Sequence, residues 1–412
     1  MERTDRLHYV DALRVGAFGL LILYHASVAF FPHMTWLVHA AETSAGLEAV
    51  MDHPRAWRLA LLFFVSGMGT CFAARGRPLP AFLRERAVRL GVPLLVAMGL
   101  VVVPQVWMER VIEEGYDGSL LRFWLTRYFV EGRYPTGQIT WAHMWFVAYL
   151  LAILAIGLPI LRMIAEGRGR AVSTAFERLA RGPCLPLLFL LPLALNLVLT
   201  PFFPRETNAL YNDGAWAATW GAWFGLGYLF ARHHATLIGG IVARRRRHAA
   251  LAFGITVVLA STSGHEGGHA GGPLSIGSYE AMTPAFKCLT FALAWSMILT
   301  LVGVAAHHVR RLPRPVAWLN EGVFAFYIVH QTIVVAALFW LLPLDLGLWT
   351  TYALVTAATV AGCCLFFALA RRLPGPLPMA FGIRRSAPPI PRPIRPLETP
   401  VCEPAEAPRR AA

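Results

Sequence analysis

Residues 8–31 read HYVDALRVGAFGLLILYHASVAFF, and this stretch decides the fold. From Val10 onward it is apolar for long enough to cross a bilayer core, which takes roughly 17 to 25 residues, and only Asp11, Arg14 and His25 interrupt it. Working outward, similar runs recur over 57–74, 87–107, 141–161, 183–199, 215–230, 249–263, 286–306, 323–342 and 349–370. The pattern predicts an all-α, polytopic membrane helix bundle of about ten spans, those at 215–230 and 249–263 being the shortest. Composition agrees. Of 412 residues, 57% are hydrophobic and only 15% charged, against about 25% charged in ordinary soluble domains.

The net charge of +14 is a second constraint. A basic balance can mark a nucleic-acid partner, but here nearly all of it is arginine in alternate loops, with Lys287 the only lysine. That distribution is the positive-inside pattern, so topology accounts for the charge, and both ends of the chain are expected in the cytoplasm. A cleaved signal peptide is disfavoured, because signal cores seldom open with a pair such as Asp11 and Arg14. The six cysteines lack ligand-like C-x-x-C spacing and read as packing residues. Residues 1–372 are expected to form the membrane domain, and 373–412, rich in proline and arginine, a disordered cytoplasmic tail. Any chemistry is therefore expected within the bundle and its loops.

Ionisable groups inside a span cost about 2.5 to 3.5 kcal/mol on insertion scales and usually face a bundle interior or a water-filled path. The eleven residues from Arg14 to His25 make roughly three turns, so both point the same way, with His25 roughly 16 Å further along the axis. The plain structural reading has Arg14 snorkelling to headgroups and His25 bonding a neighbouring helix; the functional one makes the pair a proton-transfer or substrate stripe. Arg86 and Arg89 lie one turn apart where a loop runs into the third span. They serve either as topology anchors or as two guanidinium forks for phosphate oxygens. His143 and Trp145 open the fourth span, where an interfacial aromatic belt is the competing account, and Tyr327, His330 and Gln331 sit in the middle of the ninth, after Asn320 and Glu321. His265-Glu266-Gly267-Gly268-His269 matches H-E-x-x-H, but the glycines inside and around it deny the helix that zinc chemistry needs, and no metal is expected.

Taken in order, these elements resemble membrane-bound acyltransferase family 3, and within it the glucan-biosynthesis type. The run His8 to Arg14 followed by His25 is similar to its opening signature, Arg86-Ala87-Val88-Arg89 with Pro93 to its R-x-x-R motif, His143-x-Trp145-Phe146 to its H-x-W-F element, and Tyr327 with His330 to its late pair. The resemblance implies an O-acyltransferase of the bacterial inner membrane, taking a succinyl or acetyl group from cytoplasmic acyl-CoA to a hydroxyl of a periplasmic or cell-envelope glycan. It implies catalytic roles for His25, Arg14 and Asp11, donor phosphates on Arg86 and Arg89, and substrate contacts from His143, Trp145, Tyr327 and His330. Some relatives carry an extra extracytoplasmic domain that this tail is too short to hold, so partner glycan-synthesis proteins are expected to complete the reaction if the membrane domain does not. Aromatic residues of the 108–140 loop, Trp124, Tyr128 and Tyr134, are candidates to stack on sugar rings. A transporter or flippase for a glycan-related substrate is the rival class.

Overall fold

The computed structural model describes residues 7–34, 36–167, 169–262 and 283–383, which are helical with no β-strand among them. The principal helices are α1 (His8–Ser27), α2 (Ala45–Ala74), α3 (Leu79–Glu114), α4 (Ala142–Glu166), α5 (Arg170–Arg181), α6 (Leu190–Leu199), α7 (Gly214–Arg232), α8 (His234–Thr262), α9 (Pro284–His308), α10 (Arg314–Leu341), α11 (Leu348–Ala370) and the single turn α12 (Leu377–Ala380). Helix α1 runs into a 3-10 turn, Val28–Phe30, and stops where Phe31 turns extended ahead of Pro32, as a residue before proline must. It packs against α2, α9, α10 and α11, so its polar groups face protein on several sides.

Among the described residues, seven helices are long and apolar enough to span a membrane, or eight if the bent pair Arg170–Arg181 and Leu185–Leu199 counts as one. Three of the ten expected spans fall outside this set, so the count of about ten is not confirmed, for local reasons. The proposed span 183–199 yields a short turn and then the ten residues of α6, roughly 15 Å of helix, bent 115° from α5. Helix α7 is the proposed 215–230 span, but Trp216, Trp220 and Trp223 and its glycines dilute its apolarity, and the three rings are buried within the bundle. The proposed 249–263 span is the end of α8, a helix that begins at His234 and carries Arg244 to Arg247.

The chain also departs from the tail expected from Leu373 onward. Residues 373–383 fold back: α12 packs on α3, and Ile383 and Phe381 join the main apolar core. Their apolar side chains find a groove, which the proline-rich composition obscured. Residues 384–412 and the His265–His269 motif lie outside the described residues.

The arginine-bearing helix ends meet at one pole. Arg162 Nη2 donates to the carbonyls of Ala74 at 2.5 Å and Arg77 at 2.9 Å, and Arg75 Nη2 to that of Ala231 at 3.2 Å, so guanidinium groups cap the carbonyls that helix ends leave unpaired.

The tightest crossing is between α2 and α7. A Cβ at Gly67 would lie 2.0 Å from the Phe224 carbonyl oxygen, and one at Gly227 1.9 Å from that of Phe64, so two backbones touch through reciprocal glycines. Small residues permit this approach in membrane helices, where packing rather than hydrophobicity holds helices together. Gly227→Ala is expected to destabilise the protein by about 1 to 3 kcal/mol, the range for overpacking, read as a lowered thermal unfolding midpoint in detergent. Gly19→Ala, where nothing lies within 4 Å of the added carbon, is the control and should leave the midpoint unchanged or slightly raised.

Candidate functional site

Three helical elements bring three histidines together. Helix α1 supplies His25, α10 supplies His330 two turns beyond Gly322, and the 3-10 turn Ala142–Met144 at the head of α4 supplies His143. The His25 and His330 rings stack with centroids 5.0 Å apart, and His143 stands edge-on to His330 at 5.1 Å.

Their hydrogen bonds fix the tautomers. His330 Nδ1 lies 2.7 Å from the Tyr327 carbonyl oxygen, which can only accept, so Nδ1 carries the hydrogen. In the neutral ring Nε2 is then an acceptor, and the 2.9 Å contact to His25 Nδ1 requires His25 to donate. His25 therefore keeps its lone pair on Nε2, the ring nitrogen not bonded to His330, and the residue lines the second chamber described below. His143 Nε2 donates to the Ile328 carbonyl at 2.9 Å, and the Tyr327 hydroxyl donates to the His143 carbonyl, so α10 clamps the turn that carries His143.

Two chambers meet at this cluster. The first, about 170 Å³, is lined by Arg14 and otherwise mainly by apolar side chains. The second, about 310 Å³, holds His25, His143, Trp145, Arg55, Arg58 and Glu206. Leu21, Leu62, Phe146 and Tyr327 belong to the walls of both and form a collar between them. Arg14 and His25 thus open onto adjoining spaces, as the eleven-residue spacing on one continuous helix requires.

Asp11 does not reach either chamber's wall; its Oδ1 accepts from Arg14 Nη1 at 3.1 Å, with Asn320 Oδ1 at 3.5 Å on the other side, so it positions Arg14. Arg86 and Arg89 part company. Arg86 lies over the Phe82 ring, 4.8 Å from its centroid, while Arg89 joins Arg84 and Glu85 in a cleft of about 620 Å³ closed by residues 375–383. Leu90, next to Arg89 in sequence, lines the Arg14 chamber, and Gly382 of the cleft packs on Phe324 of that chamber.

Sequence reasoning missed Arg58, a guanidinium 3% exposed, 4.5 Å from the centre of the Tyr24 ring, inside an apolar helix. The signal was the one that singled out Arg14: a charge within a span, which needs partners to be tolerated. It also missed Trp36, whose ring lies parallel to that of His25 at 6.3 Å, and Asn208, both on loops that carry no periodicity. Of the loop aromatics, Tyr128 is buried with its hydroxyl on the Met98 carbonyl at 2.8 Å, and burial pushes that hydroxyl up to about 12. Neither it nor Trp124 lines the chambers.

A bundle of long apolar helices with three histidines gathered at the wall of an internal chamber defines a polytopic membrane protein. The acyltransferase 3 family, described as an acyltransferase domain, matches residues 7–368, and the chain belongs to it. It is similar to glucans biosynthesis protein C of Escherichia coli K12 and of Escherichia coli O1:K1, 27% identical to each over 167 residues. That stretch is 39% of this chain and 40% of the relatives' length. No solved structure matches the chain.

The tautomer assignment can be read directly. Solid-state NMR of protein labelled with ¹⁵N-histidine should show His25 protonated at Nδ1 and bare at Nε2, hydrogen-bonded to a bare His330 Nε2, with that coupling lost in His330→Phe. A His25 ring protonated at Nε2 alone would overturn it.

Proposed function

We propose that this protein transfers an acyl group, succinyl or acetyl, from cytoplasmic acyl-CoA to a hydroxyl of a periplasmic or cell-envelope glycan. It does so from a bacterial inner membrane with both termini on the cytoplasmic side. The observation that carries the reading is His25, held by His330 through Nδ1 with Nε2 left as its acceptor nitrogen, in the wall of a chamber that Arg58 also lines. Membership of the acyltransferase 3 family and similarity to glucans biosynthesis protein C support the reaction class, and the arginine pole supports the orientation.

In this reading Arg84 and Arg89 hold the donor's phosphates in the cleft under α12, and the acyl group passes the Arg14 chamber. Arg14 suits the distal carboxylate of a succinyl group. At the collar His25 Nε2 takes the proton of the acceptor hydroxyl as the oxygen attacks the thioester carbonyl. The new C–O bond forms, the oxyanion faces the Arg58 guanidinium, the C–S bond breaks, and the proton on His25 leaves with the thiolate. His143 and Tyr327 keep α4 and α10 in register around that point, and Trp145 closes the wall beside them. Proteins of glycan synthesis are the partners that would supply the acceptor.

Purified protein with radiolabelled succinyl- or acetyl-CoA and a glucan acceptor tests the reading. His25→Ala at normal abundance should lose about 10² to 10⁴ in transfer rate, the range for a positioned base. Movement of the glycan across liposomes without any acylated product would replace the enzyme by a transporter.

The donor assignment has its own readout. Arg89→Ala and Arg84→Ala should raise the apparent KM for acyl-CoA more than that for the acceptor. An unchanged donor KM would leave these arginines as topology anchors.

A further inference from the structure

A third chamber, about 540 Å³, adjoins the His25 chamber on the side away from Arg14, and the two share Trp36, Ala142, Asn208 and Gln331 in their walls. Its other side chains are chemically unlike those of the arginine cleft. Glu109 and Glu113 of α3 face it, with the Tyr134 ring from the 115–141 connection, and no arginine or lysine is among its lining residues.

Glu109 is only 3% exposed, and its carboxylate is half used. Oε1 accepts from the Tyr134 hydroxyl at 2.8 Å, while Oε2 is buried with no hydrogen-bond partner. The neighbouring Arg110 is committed elsewhere, to Glu114 at 3.0 Å, to Gln138 at 3.0 Å and to the Pro135 carbonyl at 3.1 Å. Asn208 Oδ1, at the boundary with the His25 chamber, is likewise buried and without a partner. Buried polar atoms are nearly always satisfied, and leaving one bare is expensive, so two partnerless oxygens on residues that line one cavity mark a place short of O–H or N–H donors.

We infer that this chamber is the acceptor subsite, built for a neutral polyhydroxylated substrate whose hydroxyls donate to Glu109 and Asn208 while Trp36 and Tyr134 pack on its C–H faces. The inference rests on the acyl-transfer reading and adds to it which residues read the acceptor. The two carboxylates of Glu109 and Glu113, with no cation among the lining residues, repel phosphate and carboxylate, which keeps the acyl-CoA donor out of this chamber and disfavours acidic glycans. The shared wall at Trp36 brings a bound hydroxyl toward His25, whose ring lies parallel to that of Trp36.

The experiment uses the full-length protein in detergent, neutral glucose oligosaccharides, and the same oligosaccharides oxidised to carry carboxylates. Calorimetric Kd and acceptor KM are measured for wild type, Glu109→Gln and Tyr134→Phe, with the thermal midpoint checked for each. Glu109→Gln should weaken neutral acceptor binding about ten- to hundredfold, as for a lost hydrogen bond to a charged group, and Tyr134→Phe, which keeps the ring but frees the carboxylate it holds, by less, with the acyl-CoA KM unchanged in both. The oxidised sugars should bind wild type less tightly than the neutral ones. Transfer by wild type with unaltered acceptor Kd and KM in both folded variants overturns the subsite while leaving the acyl-transfer reading intact. Equal affinity for neutral and oxidised sugars overturns it too. Glu109-dependent sugar binding without any acyl transfer would instead uphold the subsite and remove the reaction.

Discussion

The paired contacts of Gly67 with the Phe224 backbone and of Gly227 with the Phe64 backbone govern where the neighbouring elements can sit. Two helix backbones in van der Waals contact cannot slide or rotate without a clash, so α2 is pinned to α7 at the level of Phe64 and Phe224. Helix α2 then presents Arg55, Arg58, Leu59 and Leu62 to the histidine chamber and Val65 and Ser66 to the chamber of Arg14. A looser crossing would move one wall of both spaces at once. The large rings around it, Phe63 on Phe146 and on Trp220, and Phe64 on Trp295, carry that fixed position outward to α4, α7 and α9.

The second organising rule is that polar groups inside lipid must find one another. Arg14 takes Asp11 and Asn320, His25 takes His330, His330 takes a backbone carbonyl of its own helix, and His143 takes one from α10. Each pairing costs nothing in hydrocarbon contact and each fixes an orientation. Gln331 Nε2 donates to Gln105 Oε1 at 3.1 Å, Gln105 Nε2 to Thr332 Oγ1 at 2.6 Å, and Thr332 Oγ1 to the Val101 carbonyl at 2.6 Å. That carbonyl belongs to the π-turn Ala97–Val101, where the wider helical register disturbs the usual backbone ladder of α3. The chain of amides and hydroxyls thereby ties α3 to α10 beside the proposed acceptor chamber.

Much of this could be read from sequence because spans advertise themselves through long apolar runs. The membrane class and the shared face of Arg14 and His25 follow from run length and an eleven-residue spacing alone. The count of spans is less legible, because the tryptophans and glycines of α7 dilute its apolarity and hydropathy does not foresee the bend that cuts α6 to ten residues. Arg58, second residue of the 57–74 run, is legible as a charge at a span's start, but its place over the Tyr24 ring is not. The split between Arg86 and Arg89 was invisible because a spacing of three residues fixes only approximate alignment, while Phe82 and the returning 373–383 segment decide what each guanidinium meets. Loop residues such as Trp36 and Asn208 carry no period at all, so only three-dimensional proximity reveals them.

The collar of Leu21, Leu62, Phe146 and Tyr327 has a consequence for the cell as a whole. A string of hydrated compartments from one face of an energised membrane to the other would be a proton wire, with three imidazoles as its relay stations. In the reading proposed above, the mainly apolar side chains common to the two chambers would interrupt that water column, letting such a bundle sit between two aqueous compartments and still insulate them.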